Sequence, residues 1–524
     1  MFNFIVPHTD TGLQHTVETR PKAVAAWLDR LPFASPTQSA QQLVTALYAL
    51  NRHPLGVDDR QALLALYRPV LARTAANLEA LLAESGVPPY AQHRQIGALL
   101  REQHVEHSIG YKLVLQALTH QRFGRANPRR MAEVTARLLA SLKDIQSACD
   151  VSHMLPPAEV WRDMHRLHAF AQASNLADHA VEGAPAPSQV YCQALLLALA
   201  DPPRMSHAEF VHTRLYLDRF AGLVRLTQAP ISQRGFAIRI DDDAPPSHLV
   251  ANLDNCGLWL DTDVLCRHLH ETVIRLRNGD KPDRIGLPAG MESGPSQTLC
   301  KRLLKQWGNS TQRAFRRFAT PDSTMRIVAG VSSIHRLLDQ VPHTLQPDTM
   351  EADCLPIHDV GLAHLVAPVV VNATEWKVIN DSAAGLALRG APDAPLNLKV
   401  GDPLALRAED ASTWSLGVIR WIRMRDACEV ELGVERLSPQ IQPVWVRPLR
   451  GHRKGSPEPA LFVPGLDALQ QQDRLLLPRH LYKSGMDAEV WHDPQQYTLT
   501  FGRHLEQASG FDLIDFTIFE GKQP

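Results

Sequence analysis

The residues of this chain best suited to hold a ligand are Asn380, Asp381 and Ser382, with Gly385 three residues beyond, in the stretch WKVINDSAAGLAL. An amide, a carboxylate and a hydroxyl place donors and acceptors side by side. A glycine so close supplies either a backbone conformation closed to other residues or room for close approach. The flanking apolar runs, Val378–Ile379 and Leu386–Leu388, are strand-like, so the group stands at a strand-to-strand junction. A plain hairpin needs only the turn residues. A binding corner needs the same glycine and the polar side chains as well, and the residues alone leave both readings open.

Familiar signatures of catalysis are missing from the sequence. It has no GxGxxG after a strand, no GxxxxGK[ST] and no GxSxG. His104 and His107 stand three apart with Glu106 between them, and His165 and His168 repeat the spacing. Neither pair is HExxH and neither has a third ligand nearby in sequence, so both read as surface or packing residues. The expectation is therefore no catalytic residue and no metal ligand. An enzyme whose site is assembled in space within the N-terminal helices is the alternative class, because triads are invisible in sequence.

The elements that position such a corner come from the rest of the chain. At 524 residues, three or four domains are expected. Lys plus Arg number 54 against 55 Asp plus Glu, a net charge of -1, which argues against a duplex nucleic-acid partner. The seven cysteines (Cys149, Cys192, Cys256, Cys266, Cys300, Cys354, Cys428) are scattered, with no CxxC, which favours free thiols in a reducing compartment. The opening MFNFIVPHTDTG lacks a signal-peptide pattern, and no apolar run approaches the ~20 residues that span a bilayer. A cytoplasmic protein without membrane insertion is expected.

Residues 1–205 read as an all-helical domain. Apolar residues recur at helical spacing in DDRQALLALYRPVLARTAANLEALLAES, with proline-marked joints at Pro54, Pro88–Pro89, Pro156–Pro157 and Pro185 to Pro187. No clean repeat of TPR or HEAT length is found. Helices without a convergent polar cluster suit a scaffold for protein contacts. Residues 206–290 carry short alternating runs broken by Gly, Pro and Asn, the texture of a small β-rich domain. Residues 291–445 begin with a helix near Ser296 to Phe318 and continue in strand-like runs, with a proline-rich insertion near 337–372. Residues 446–524 alternate well and read as a further β-rich domain.

Downstream of Gly385 come a Gly401–Asp402 turn and then PLAL, GVIRWIRMRD and EVELGVERL, giving about five strands in some 60 residues, the spacing of a small antiparallel barrel. In these residues the sequence resembles the PilZ domain family, small bacterial β-barrels of which many bind cyclic di-GMP. The family motif [D/N]-x-S-x-x-G is matched by Asn380, Asp381, Ser382, Ala383, Ala384 and Gly385. A Gly-Asp turn is matched at Gly401–Asp402, Gly-x-x-x-Trp at Gly417–Trp421, and a later Gly-Val at Gly433–Val434. The family's RxxxR is matched in spacing by Arg313 and Arg317, with Arg316 between them. These arginines lie some 60 residues before Asn380, which fits if MRIVAGVSSIHRLL is the first barrel strand and an insertion follows it. The resemblance covers roughly 310–440. LDNCGLWLD, with Asn255, Cys256 and Gly257 but no serine, faintly echoes the motif, either a degenerate second barrel or an ordinary hairpin.

The resemblance implies a multidomain α + β protein, with an N-terminal helical domain followed by small antiparallel β-barrels, one of them PilZ-like. It implies that Arg313, Arg316, Arg317, Asn380, Asp381, Ser382, Gly385 and, from the strand beyond, Arg420 meet cyclic di-GMP. Guanidinium groups clamp phosphates with paired charge-assisted bonds and reach guanine O6 and N7. Asn380 and Ser382 would meet base edges. Trp376 and Trp421 read as barrel core, and Arg420 and Arg423 as strand residues facing outward. The same arginines would equally suit a helix C-terminus. The expected function is a cyclic di-GMP receptor that turns binding into changed interdomain or partner contacts, with a protein partner on the helical domain. The alternative is a nucleotide-independent interaction scaffold.

Overall fold

The computed structural model describes residues 4–8, 17–84, 91–120, 127–179, 181–229, 235–248, 257–288, 290–308, 318–319, 323–339, 373–382, 384–390, 397–426, 429–450, 453–465, 471–492 and 495–518. The arginines 313, 316 and 317, the echo residues Asn255 and Cys256, and the insertion from 340 to 372 lie outside them. The chain divides into two compact units, Met1–Ala314 with Ile422–Val430, and Phe315–Trp421 with Glu431–Pro524.

The first unit contains α1 (Pro21–Leu28), α2 (Pro36–Arg52), α3 (Val57–Glu84), α4 (Ala91–His120), α5 (Pro128–Val151), α6 (Val160–Ala173), α7 (Pro187–Leu199), α8 (His207–Phe220), α9 (Asp263–Arg277) and α10 (Ser293–Gly308). Proline opens α1, α2, α5 and α7 at the first turn, where its missing N–H would have no intrahelical partner. α8 opens on a capping box: Ser206 Oγ accepts from the Glu209 N–H, and the Glu209 carboxylate accepts from the Ser206 N–H. One apolar cluster joins these helices, from Leu43 and Leu63 through Leu138 and Leu195 to Leu303 and Trp307. Each such leucine contributes about 1.5–3 kcal/mol on burial, so the cluster organises the unit.

Residues 206–290 differ from their reading as a separate β-rich domain. They hold two helices, α8 and α9, and four short strands: β1 (Arg225–Thr227), β2 (Phe236–Ile238), β3 (Ser247–His248) and β4 (Leu258–Asp261). The strands form an open sheet in the order β1-β4-β2-β3. Strands of two to four residues are too short to enclose a core. Phe236, Ile238 and Leu260 bury instead in the helical cluster.

The second unit carries two closed antiparallel barrels. The middle barrel comprises β6 (Thr324–Ala329), β7 (Thr374–Ser382), β8 (Gly385–Gly390), β9 (Pro403–Ala408), β10 (Ser415–Asp426) and β11 (Glu429–Ser438), preceded by β5 (Phe318–Ala319) on the edge of β7. Its order β7-β6-β9-β10-β11-β8 closes through β7–β8. The C-terminal barrel comprises β12 (Gln442–Arg450), β14 (Glu458–Val463), β15 (Arg474–Leu477), β16 (Asp487–His492), β17 (Gln495–Gln507) and β18 (Asp512–Ile518), with β13 (Arg453–Lys454) appended to β12. It closes through β12–β16. This is the fold class the sequence resemblance implies.

MRIVAGVSSIHRLL is not one strand. β6 ends at Ala329, Gly330 takes a φ of 87°, and α11 (Val331–Leu338) follows. A positive φ suits glycine and turns the chain out of the extended conformation. α11 then contributes Val331 and Ile334 to an apolar layer between the barrels, with Val328, Ala405, Leu416 and Val418 from the middle barrel and Leu461, Leu476, Phe511 and Leu513 from the other. That layer explains why PLAL in β9 is apolar throughout: Leu404 and Leu406 bury on one face and Ala405 on the other.

Candidate functional site

The corner Asn380–Gly385 is the tip of the β7–β8 hairpin, with Ser382 registered opposite Gly385. Only residues 383–384 separate the strands, the short-loop geometry that polar and small residues allow. The Ser382 hydroxyl donates to Gly385 O at 2.8 Å, and the Ser382 N–H donates to Asp381 Oδ1 at 2.7 Å. The register shifts between Val378 and Asn380, so Ile379 is an extra residue that re-aims the three polar side chains after it. Asn380, half-buried beside them, adds an amide donor and acceptor to the corner.

The corner is seated on β11. A Cβ on Gly385 would stand 2.3 Å from Val434 O, so only glycine permits this approach. The Arg436 N–H donates to Ala384 O at 3.0 Å. The Arg436 guanidinium, through Nη2, donates to both oxygens of Asp381, at 3.0 and 2.9 Å. Sequence reasoning did not single out Arg436. Its partner lies 55 residues away and only strand order brings the two together, so no local pattern announces it.

The remaining motif residues serve packing and the junction with the second barrel. Gly433 gives way to Trp421, whose Nε1 would lie 1.7 Å from an added Cβ, and Gly390 does the same for the buried Trp376. Gly401, at φ 92°, presses against Ser509, and Gly510 presses against Asp402 Oδ1, so two glycine turns interlock. Burial raises the Asp402 carboxyl to about 6, offset in part by the Lys399 N–H that donates to it at 2.7 Å. Arg420 pairs with Glu435 and with Glu506 of β17, the latter through Nη2 at 3.1 Å. The structure thus places Arg420 in an ion-pair cluster that bridges the barrels.

Arg313, Arg316 and Arg317 lie outside the described residues. The first described residue after them is Phe318, and it pairs with Asp381, with Ala319 opposite Asn380. The strand that follows the arginine run directly in sequence is therefore hydrogen-bonded to the corner. The helical histidines go elsewhere. His107 Nδ1 lies 3.0 Å from Ser141 Oγ, and burial lowers its pKa to about 4. His165 contacts the Tyr191 hydroxyl at 2.7 Å, while His168 stacks on the Tyr191 ring at 4.3 Å. Among the described residues no group of three His, Cys, Asp or Glu could hold a metal ion, and no helix is long and apolar enough to cross a membrane.

Comparison with known proteins adds three matches, in chain order. Residues 22–231 match the family described as cyclic-di-GMP receptor FimW, N-terminal domain. Residues 235–343 and 370–443 match its middle PilZ domain, so the match skips part of the stretch expected to be an insertion. Residues 444–519 match the FimW C-terminal beta-barrel domain. The chain is also similar to the cyclic-di-GMP receptor FimW of Pseudomonas aeruginosa, 21% identical over an alignment of 555 positions that covers 95% of this chain and 90% of that protein. No solved structure matches it.

Proposed function

The chain belongs to the FimW family of cyclic-di-GMP receptors, with a middle PilZ domain and a C-terminal barrel, and from that premise we propose that it binds cyclic di-GMP at the Asn380–Gly385 corner. Asn380 and Ser382 meet the edge of one guanine. Gly385 keeps the hairpin low on β11, and Asp381, held by Arg436, fixes its angle. Arg313, Arg316 and Arg317 clasp the phosphates with paired charge-assisted bonds. The observation that carries this reading is the pairing of Phe318 with Asp381, which ties the strand after the arginine run to the corner.

The protein acts as a receptor and makes or breaks no bond. Binding alters contacts made by the helical and β parts, in the cytoplasm, with a protein partner on the helices. A ligand drives such a change only through different affinities for the two arrangements. The test is calorimetry of the full chain with cyclic di-GMP. Arg317→Ala and Ser382→Ala are each expected to weaken binding, the arginine by ~10-fold to 100-fold, as for a lost hydrogen bond to a charged group. Heats equal to wild type in both variants would remove the assigned site.

A further inference from the structure

Beside the corner, on the same strand, lies a groove of about 290 Å³ lined by Ser323, Thr324, Lys377, Val378, Ile379 and Arg389. Its walls follow from register. Thr324 of β6 stands opposite Lys377 of β7, and Lys377 stands opposite Arg389 of β8, so three adjacent strands contribute one row. Such cross-strand neighbours project from the same face of the sheet. Val378 donates its N–H to Ser323 O at 2.9 Å, which fixes the near edge. Glu431 holds the Arg389 guanidinium at 2.8 Å and partly offsets its charge. Lys377 is exposed and has no ion pair among the described residues.

This composition combines a solvated ammonium, a fixed guanidinium, two hydroxyls and an aliphatic floor. An ammonium on a flexible stem is a point charge for phosphate, and it carries the anion contact here, because the Thr324 hydroxyl already donates to Glu409 Oε2 at 3.3 Å. The aliphatic floor suits the apolar face of a sugar. The volume is just under the roughly 300–1,000 Å³ of a small-molecule site, so the groove takes part of a ligand. Asn380 lies three positions after Lys377, about 10 Å of strand, which lies within the reach of one dinucleotide.

We propose that this groove is a second subsite of the nucleotide site, in which Lys377 binds the phosphodiester remote from the guanine seated on Asn380 and Ser382. The inference rests on the receptor reading above and adds a residue to it. Arg389 sets the groove's shape, and Lys377 supplies the charge that meets the phosphate.

The test is calorimetry of the full chain with cyclic di-GMP at low and moderate salt. Lys377→Gln is expected to weaken binding about tenfold at low salt, with a smaller loss at higher salt because a solvated charge pair is screened. Lys377→Arg should retain most of the affinity. Lys483→Gln, which removes an exposed charge on the C-terminal barrel, should bind like wild type. If Lys377→Gln binds like wild type while Ser382→Ala is weakened, the groove proposal is overturned and the receptor reading stands. If Lys483→Gln loses as much as Lys377→Gln, the effect is one of net charge and the subsite is rejected. If wild type shows no binding, the receptor reading itself fails and the subsite with it.

Discussion

In the middle barrel the closing pair is β7–β8, a hairpin, whereas in the C-terminal barrel it is β12–β16, two strands far apart in sequence. A hairpin at the seam puts a polar tip beside a third strand, and Asn380, Asp381, Ser382 and Gly385 occupy that tip. The other seam is filled by packing. Trp445 stands opposite Trp491, Arg447 lies over the Trp491 ring at 4.7 Å, and Arg447 pairs with Glu489 at 3.6 Å. Both barrels close on six strands, but at the first seam the polar side chains are half-buried at a hairpin tip, whereas at the second the polar atoms Trp445 Nε1 and Arg447 Nε are buried. The architecture is shared and the proposed site is local to one hairpin, as expected when function is grafted on a fold.

The largest expected effect breaks the comparison at Gly385. In Gly385→Ala the new methyl meets the Val434 carbonyl, a backbone atom that cannot swing aside. The hairpin must lift from β11, at a cost of about 1–3 kcal/mol, and cyclic di-GMP binding should fall on the order of a hundredfold, about 2.7 kcal/mol. The counterpart is Gly485→Ala in the C-terminal barrel, at φ 74° with nothing within 4 Å of the added carbon. It should cost about 1–2 kcal/mol of backbone strain and leave binding unchanged. Melting curves and calorimetry on the two variants read both quantities. A Gly385→Ala protein that binds normally would mean the corner does not touch the ligand.

A smaller effect sharpens the junction between the barrels. Burial raises Asp402 from 3.8 to about 6, so the folded state holds its proton more tightly than the unfolded chain. The stabilisation is fully present below the lower value and is lost as pH rises through the upper one. At about 1.4 kcal/mol per pH unit the swing is at most about 3 kcal/mol. Asp402→Asn keeps an acceptor for the Lys399 N–H and has no charge to bury. Its Tm should exceed that of wild type at pH 7, and the difference should shrink toward pH 4. Parallel curves across that range would show that Asp402 ionises without strain at the junction.

The strands around the corner were legible because period-two alternation and Gly-Asp or Asn-Asp-Ser turns are local signals. β7 to β11 fall where those signals place them. The boundary at Gly330 was missed because Val331, Ile334 and Leu338 satisfy a helical period as well as an apolar strand does. Residues 206–290 misled for a different reason. Short strands at Phe236 and Leu258 signal sheet, but their burial among helices depends on contacts distant in sequence. The arginine run looked remote from Asn380 because spacing counts residues. Strand pairing brings Phe318 to Asp381 across that separation. Arg436 belongs to the same class, since its role exists only once β11 lies beneath the hairpin.

The most direct measurement is a structure of the full chain with cyclic di-GMP bound. The expected result is a guanine against Asn380 and Ser382, with at least one guanidinium of Arg313, Arg316 or Arg317 within hydrogen-bonding distance of a ligand phosphate. Nucleotide bound elsewhere, with those arginines remote from Ser382, would contradict it.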